Sequence, residues 1–578
     1  MSSKEHAGVV SGLDKLYEFD REPVTDDKLQ PGKYFAGLLA GEHVAGTEFV
    51  IGASFVSWGA SPMNVFLGLA LGNLLAVLTW TFMCAPIATQ TRLTLYWYLR
   101  KIAGPAATAI YNVLNAIMFC ILAGCMITVS ASAVRIPFGI PPQVKWYPES
   151  AGFVVVVLVV GALVTLLAIL GFKRVAQFGS VCSPWMFLMF MGGAVATLPV
   201  LAMEAGFANI SSWAQFWEAA SKFIWTGSTP DGSPGLTFWQ ITAFAWICNL
   251  AMHGGLSDMA LFRYARHWSY GAYSAFGMFF GHYLAWIFAG VMGAATARLM
   301  QVSMAELDAG EVAWQALGVT GILTVIIAGW TTSNPTIYRA GLAFQGVTPG
   351  WPRWLVTLLT GAATTIIACF PFVFTKLLNF VGLYGLLLVP VGAIVFVEHW
   401  IFPRIGFTRY WVSRKRLFVS WPALISWGVA IAAALWLERS GTLHLFFLFL
   451  PIWFLTAILY TILAALFGAR EPLPEDDGIK TAEMLETSAK RVSQPKTAKA
   501  MPEQTDVVLW VARVVALLSL AACLALPVWV YTRGASGFEA SIATMKNLII
   551  WPTLVYFISG TVWAVRRDRQ KGGEDAAA

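Results

Sequence analysis

The sequence predicts an all-α, polytopic membrane protein with about 14 spanning helices. Of its 578 residues, 58% are hydrophobic and only 12% are charged, and the mean hydropathy is +0.67. Crossing a bilayer takes about 20 mainly apolar residues, and runs of that length follow one another along the chain. A soluble protein with so many buried helices would lack the polar surface that keeps it in water.

The predicted spans follow the apolar runs in chain order. The first twelve runs start near Tyr34, Asn64, Ala106, Ala151, Val175, Phe238, Tyr270, Val312, Leu355, Leu377, Phe418 and Leu443. Two more runs cover residues 506–531 and 547–565. Each of these segments is expected to form one membrane-spanning helix.

Polar stretches divide the chain into five regions. Residues 1–32 lack the apolar core of a cleavable signal peptide and are expected to form a cytoplasmic tail. Residues 33–470 hold the twelve-span core, and residues 471–505, which are charged and contain Pro, Lys and Glu, are predicted to be a flexible cytoplasmic linker. Residues 506–566 hold the two additional spans, and residues 567–578 form a second cytoplasmic tail.

The distribution of Lys and Arg predicts the orientation. With the N-terminus inside, the inner loops carry more of these residues than the outer loops do, and Arg339 is counted among the inner ones. Both termini are then cytoplasmic, and the expected location is a bacterial inner membrane. The net charge of +7 reflects this topology. Nucleic-acid binding is not expected, because no soluble basic segment is interleaved with aromatic residues.

The outer loop over residues 204–236 contains Trp213, Trp217 and Trp225. It is predicted to form either a short amphipathic helix or a belt of aromatic side chains at the membrane surface. The belt is the favoured interpretation, because aromatic residues at span ends are usually interfacial anchors.

Two apolar segments in opposite halves of the chain are interrupted by the same kind of polar cluster. The first contains Glu42, His43 and Glu48, and the second contains His253 and Asp258; glycine lies within both. Glycine loosens a helix, and ionisable groups are tolerated at membrane depth where they line a cavity. Paired interruptions of this kind indicate the central site of a secondary transporter.

The ionisable residues at the breaks have several possible roles. Glu48 could pair with a cationic or hydrogen-bonding solute, or carry a proton across the membrane, as could Glu42, His43 and His253. Alternatively, Glu42 or Glu48 bonds a neighbouring helix and stabilises the bundle. Asp258 is predicted to end a helix or to form a salt bridge with Arg263.

The eighth span carries two adjacent hydroxyls, Thr331 and Thr332, beside Pro335. Such hydroxyls can bond back to carbonyls of their own helix. Where a helix break frees backbone carbonyls, they are also hard oxygen ligands suited to a small cation.

Several segments resemble the cytosine permeases of the nucleobase:cation symporter-1 family, which also includes purine permeases. The resemblance covers roughly residues 33–470 and is carried by their order and spacing. The matching segments are Trp330-Thr331-Thr332 with Tyr338 and Gly341-Leu342, Gly72-Asn73-Leu74-Leu75, Thr91 to Gly104, Arg263-Tyr264-Ala265-Arg266, and Pro390-Val391-Gly392 with Glu398.

The resemblance implies a five-plus-five inverted repeat with two extra helices and transport by alternating access. The repeats would cover about residues 33–203 and 237–400, with the first and sixth helices unwound. It also implies a sodium site between the first and eighth helices and no organic cofactor. By position, the sodium ligands would be the carbonyls of Gly41, Val44 and Ala328 and the hydroxyls of Thr331 and Thr332.

The predicted substrate site departs from the family. Where those permeases have Gln and Trp in the third helix, this chain has Asn115 and Met118, so an aromatic ring that would stack on a base is missing there. The remaining predicted substrate residues lie at the two breaks. They are Gly46, Thr47, Glu48, Asn249, Met252 and His253.

The sequence therefore predicts a cation-coupled symporter that imports a small polar nitrogenous solute, with sodium as the driving ion and a proton as the second choice. One alternative is a divalent metal-ion transporter of the same fold, which Met252, His253 and Glu48 could serve. Another is a transporter-like membrane sensor that signals through the added spans. An enzyme is not expected, since no H-E-x-x-H motif is present.

Overall fold

The computed structural model describes residues 18–143, 145–371, 373–473 and 506–577. This part of the chain is helical, and its only β-bridges are two isolated ones, Gln30 with Ala265 and Ser228 with Pro234. Within it, nine helices are long and apolar enough to cross a membrane, by length and composition. The predicted all-α membrane fold is thus confirmed. The predicted linker lies outside the described residues from 474 onward.

Each predicted span has a helical counterpart among the described residues. The first five are Gly32–His43 with Glu48–Ser57 (span 1), Pro62–Thr91 (span 2), Leu95–Val134 (span 3), Ala151–Ile169 (span 4) and Phe172–Glu204 (span 5). The next five are Phe238–Ile247 with Leu250–His253 and Met259–Phe262 (span 6), Trp268–Met300 (span 7), Val319–Gln345 (span 8), Arg353–Ala368 (span 9) and Val373–Phe396 (span 10). The last four are Trp421–Arg439 (span 11), Phe449–Ala464 (span 12), Val507–Leu548 (span 13) and Ile550–Ala577 (span 14).

Spans 1 and 6 are interrupted where the glycine-containing clusters predict it. Span 1 loses helical hydrogen bonding between His43 and Glu48. Span 6 stops at His253 and resumes at Met259, and Leu256 in between has a φ of +63°. A left-handed leucine is strained, so the packing around the break must hold it in place.

Two helix starts differ from the prediction. The eighth apolar run, expected from Val312, is divided by Gly318 at φ +61° into an outer helix, Ala309–Leu317, and span 8. In span 3, Gly104 at φ +77° separates residues 95–103, expected as a loop, from the spanning part. In both cases a left-handed glycine turns the chain inside a run whose hydropathy alone looks continuous.

The outer loop after span 5 contains a helix, Trp213–Phe223, which begins at a Ser212 cap that accepts the Gln215 backbone N–H. This helix agrees with the short amphipathic cap, the less favoured of the two predictions for this loop. Trp213 is 67% exposed, whereas Trp225 is buried.

Spans 13 and 14 pack along span 5. The Trp185 indole donates to the Thr553 hydroxyl at 3.1 Å, and the Tyr556 hydroxyl donates to the Val181 carbonyl at 2.6 Å. Residues 532–546, expected as a loop between these spans, are helical apart from a kink at Gly534.

The Asp568 carboxylate ties span 14 to the start of span 1 and to span 5. It pairs with the Lys33 ammonium and accepts the Tyr34 hydroxyl and the Gln177 amide, each at 2.7 Å. We call this group the Asp568 tie. The tie lies at the same end of the molecule as the N-terminal segment. We call this end the inner side, after the predicted orientation, and the opposite end the outer side.

Asp568→Asn is expected to loosen span 1 at this end, because the amide keeps the shape of the side chain but loses the charge that pairs with Lys33. Loss of one charge-assisted contact corresponds to about 1.5–3 kcal/mol. Hydrogen–deuterium exchange should then become faster around residues 33–40 and stay unchanged in span 11. Equal exchange in both proteins would contradict a role for the tie.

Candidate substrate and cation site

Arg339 of span 8 joins the two helix breaks. Its Nη1 and Nη2 donate to the Glu42 carboxylate at 2.5 and 3.0 Å, and its Nε and Nη2 donate to Asp258 Oδ1 at 2.8 and 2.5 Å. The Trp80 indole donates to the other Asp258 oxygen at 2.6 Å. All three charged side chains are at most 3% exposed. We call Arg339, Glu42 and Asp258 the Arg339 triad.

The triad corrects two sequence predictions. Arg339, counted as an inner-loop charge, is buried within span 8. Asp258 pairs with this arginine and not with Arg263, which instead donates to the Glu18 and Phe19 carbonyls at 2.6 and 2.5 Å. Two carboxylates share one guanidinium, so the ionised triad carries one net negative charge. Such a charge is costly at membrane depth unless a cation balances it.

The Thr332 hydroxyl connects spans 1 and 8 just beyond the triad. It lies 2.7 Å from the Glu42 carbonyl oxygen and 3.1 Å from the Ala328 carbonyl oxygen, and the Thr331 hydroxyl also lies 3.1 Å from the latter. The span 1 carbonyl in contact is thus that of Glu42, which lies between the predicted ligands Gly41 and Val44. One hydroxyl hydrogen faces two carbonyls here, so oxygen atoms outnumber the protons between them.

Glu48 begins the second half of span 1 and faces span 7. The Trp286 indole donates to Oε2, and the His282 Nε2 lies 3.5 Å from Oε1. The His282 and Trp286 rings are stacked at 4.4 Å. His282 and Trp286 lie one helical turn apart, so span 7 presents both rings to one carboxylate.

The rings of His43 and His253 both contact the Trp80 ring, with centroids 5.6 and 4.7 Å from it. His43 Nδ1 lies 2.7 Å from the Leu39 carbonyl, and His253 Nε2 lies 2.9 Å from the Trp246 carbonyl. Because a carbonyl can only accept, these nitrogens carry the ring hydrogens. The other nitrogen of each ring has no partner among the described residues.

Span 3 carries the predicted substrate residues Asn115 and Met118. The Asn115 amide donates to the Tyr111 hydroxyl at 3.0 Å and to the Ser257 hydroxyl at 3.2 Å. Met118 is half-buried beside the exposed Ile117, whereas Phe119 is buried, with its ring centre 5.9 Å from the Arg339 guanidinium carbon. The structure therefore brings Asn115 and Phe119 to the site, but not Met118.

The remaining predicted substrate residues are buried at the breaks. The Asn249 amide nitrogen lies 3.4 Å from both ring nitrogens of His282. Met252 and Thr47 are buried, and a Cβ on Gly46 would lie 2.8 Å from a Val129 methyl and 3.3 Å from the Val325 carbonyl. Gly46 therefore lets the break approach spans 3 and 8 closely.

Sequence reasoning missed six residues that contact the predicted ones. Trp80, Tyr111, Ser257, His282, Trp286 and Arg339 make those contacts. Arg339 and His282 could have been noticed as ionisable residues within or beside apolar runs. Ser257 lies within the predicted break of span 6, next to Asp258. Trp80, Tyr111 and Trp286 have no signal that separates them from ordinary interfacial or core residues.

A cavity of about 520 Å³ lies on the outer side of span 1. Its lining includes Phe49 and Val50, the residues that follow Glu48, and Arg135 with Asp308. The Arg135 guanidinium pairs with Asp308 at 2.5 Å, which joins the outer end of span 3 to the cap of the outer helix. Within the part of the chain that the structure describes, no group of three or more His, Cys, Asp or Glu side chains could hold a metal ion.

Comparison with known proteins supports the resemblance seen in the motifs. No family model matches the chain. The cytosine permease of Escherichia coli strain K12 is 26% identical over 161 residues, which are 28% of this chain and 35% of that permease. The cytosine permease of Escherichia coli O157:H7 gives the same values. The chain thus spans about a third of the length of the curated relatives it matches.

Two solved transporters share the fold over most of the chain. The first is Mhp1, a nucleobase-cation-symport-1 family transporter in a closed conformation with bromovinylhydantoin bound, at a TM-score of 0.60 and 16% identity, covering 82% of this chain and 100% of Mhp1. The second is a Na⁺-coupled sialic acid symporter, at a TM-score of 0.56 and 14% identity, covering 81% of this chain and 98% of the symporter. The predicted inverted-repeat transporter fold is confirmed by these matches.

Proposed function

We propose that the chain is a cation-coupled symporter that imports a small polar nitrogenous solute, nucleobase-like or related, by alternating access. The observation that carries this proposal is the buried Arg339 triad, which joins the breaks of spans 1 and 6 to span 8. The names of its relatives support it: one is a cytosine permease, one was solved with a hydantoin bound, and one is coupled to Na⁺. The proposed location is a bacterial inner membrane with both termini inside.

Sodium is the proposed coupling ion, held between spans 1 and 8. The proposed ligands are the hydroxyls of Thr331 and Thr332 and the carbonyls of Ala328, Gly41 and Val44. Support comes from the Thr332 hydroxyl, which lies within hydrogen-bond distance of carbonyls from both spans. An ion placed among these oxygens would hold the broken helix against span 8. In other transporters, the carbonyls of unwound helices coordinate the coupling ion in this way.

The proposed solute site lies on the side of the breaks that faces spans 3 and 10. The Tyr384 hydroxyl and the side-chain amide oxygen of Asn115 are buried and have no partner among the described residues. The Phe119 and Tyr384 rings are in edge contact at 5.6 Å and offer an apolar surface beside these polar atoms. A flat nitrogenous solute could use the rings for packing and the oxygens for its N–H groups.

Thermal unfolding of the purified protein with a panel of solutes, with and without sodium, tests the function. The panel contains cytosine, uracil, hydantoin, allantoin, choline and Mn²⁺. A ligand of the folded state raises its apparent stability by mass action. We expect a shift with one nitrogenous solute that increases in sodium. A shift with Mn²⁺ alone would replace this proposal with the metal-transporter alternative, and a solute shift without any coupled uptake would favour a sensor.

Thr332→Ala is expected to weaken sodium dependence strongly. The substitution removes a hydroxyl that contacts carbonyls of both spans. The sodium concentration for half-maximal effect should therefore rise about tenfold, equivalent to about 1.4 kcal/mol. Sodium titration of the thermal midpoint measures this. The control is Thr324→Ala, because the Thr324 hydroxyl bonds only the Thr320 carbonyl of its own helix. Equal sodium titrations for both variants would place the ion elsewhere.

A further inference from the structure

Glu48 and His282 lie inside the bundle formed by spans 1, 2, 6 and 7, away from the proposed solute site. They are 1% and 4% exposed. Within the described part of the chain, His282 is the only basic side chain that pairs with Glu48. The proposed sodium ligands contact span 8, whereas this pair faces span 7.

The surroundings leave no room for an organic solute. The Trp286 ring is stacked on His282, and the His43 ring meets His282 edge-on at 5.1 Å. A Cβ on Gly281 would lie 2.0 Å from the His43 carbonyl oxygen, and one on Gly277 would lie 2.6 Å from His43 Nδ1. A ligand that fits among such closely packed groups has to occupy almost no volume.

The charge balance of the pair identifies that ligand. An ionised Glu48 beside a neutral imidazole would leave one uncompensated charge in a dry site, which is costly. One bound proton removes this cost in either of two ways. It can sit on the carboxylate, giving a neutral pair, or on the imidazole, giving a buried ion pair. Both forms hold one proton between the two residues.

The other polar groups around the pair favour a single proton. Asn249 contacts His282 from span 6, and His43 contacts it from span 1. Cys248 and His253 lie on the same part of span 6 as Asn249. Neighbouring imidazoles oppose a second positive charge on His282. The Trp286 indole donates to Glu48, which keeps one carboxylate oxygen oriented while the other faces His282.

Phe49 and Val50, which directly follow Glu48, line the outer cavity, whereas Glu48 itself is buried. Movement of the second half of span 1 would therefore change the access of Glu48 to that side. Span 1 also carries the proposed sodium ligands at its break, so protonation and sodium binding would act on the same helix.

We propose that Glu48 and His282 form a one-proton binding site, separate from the sodium site, through which external pH acts on transport. The part of this inference that concerns transport rests on the proposed function. The proton site itself does not, because it can be observed without any solute.

Infrared difference spectroscopy of the purified protein, as the pH is changed between about 5 and about 8 where histidine titrates, tests the site. We expect one Glu48 signal that titrates in the wild type and is absent in Glu48→Gln. This signal is the C=O band of the protonated acid if the proton sits on the carboxylate, or a shift of the carboxylate stretch if the proton sits on the imidazole. In His282→Asn, the titration midpoint should move by about one pH unit or more, because the shared proton loses one of its two acceptors.

The matched control is Glu398→Gln, which removes another buried membrane carboxylate, one that accepts the Tyr460 hydroxyl at 2.8 Å. The Glu48 band should persist in this variant. Labelling glutamate with ¹³C in the wild-type protein keeps the test available if Glu48→Gln does not fold. The proposal would be overturned, and the symporter proposal left intact, by a wild type in which no Glu48 signal titrates, by a titration that survives Glu48→Gln, or by an unchanged midpoint in His282→Asn.

Discussion

Arg339→Ala is expected to abolish transport and to destabilise the protein more than any other single charge removal. The substitution leaves Glu42 and Asp258, both buried, without the only guanidinium partner that they have among the described residues. Breaking a buried ion pair by removing one partner costs about 3–5 kcal/mol. Thermal unfolding followed by tryptophan fluorescence, together with uptake into reconstituted vesicles, measures both effects.

Two further variants separate charge from shape in this experiment. Arg298→Ala removes an arginine whose pairing with Glu204, at 3.8 Å, is at the surface, where such pairs contribute about 0–1 kcal/mol. The triple variant Glu42→Gln, Asp258→Asn, Arg339→Met removes all three charges and should be more stable than Arg339→Ala while still failing to transport. Equal thermal midpoints for Arg339→Ala and Arg298→Ala would show that the triad does not hold the breaks together.

Gly281→Ala is expected to destabilise the protein by forcing spans 1 and 7 apart. A Cβ there would lie 2.0 Å from the His43 carbonyl oxygen and 2.4 Å from the His43 carbonyl carbon. These are backbone atoms at the end of a helix, so no side-chain rotation relieves the overlap, and span 7 must move away from span 1. Such overpacking costs about 1–3 kcal/mol, sometimes more.

The matched control is Gly428→Ala in span 11, where an added Cβ meets no heavy atom within 4 Å. Alanine is the better helix former, so this variant should be as stable as the wild type or more stable by about 0.5–1 kcal/mol. The two proteins can be compared by their thermal midpoints in the same detergent. If Gly281→Ala unfolds no earlier than Gly428→Ala, spans 1 and 7 are not in close contact at this point.

The two helix breaks could be predicted because their cause is local. Gly41 and Gly46 in span 1, and Gly254 and Gly255 in span 6, stand beside ionisable residues in otherwise apolar runs. Backbone looseness and the need for a polar environment are both visible in a short window of sequence. Thr331 and Thr332 were identified in the same way, by two hydroxyls in one span.

The partners across helices could not be predicted, because sequence distance misleads there. Asp258 lies five residues from Arg263 but pairs with Arg339, which is 81 positions away. Hydropathy placed Arg339 at a span end, since a window of sequence cannot show that two carboxylates from other helices neutralise it. His282 stands alone in an apolar run, and only its tertiary position opposite Glu48 gives it a role.

The Asp568 tie has a consequence for how the protein is made. The Asp568 carboxylate that secures Lys33 at the start of span 1 is 535 positions further along the chain. During synthesis, the first span enters the membrane long before its partner has been translated. A ribosome that stops early therefore releases a chain whose first helix is unsecured at its inner end. The contact that secures the first span can therefore form only after the last span has been synthesised.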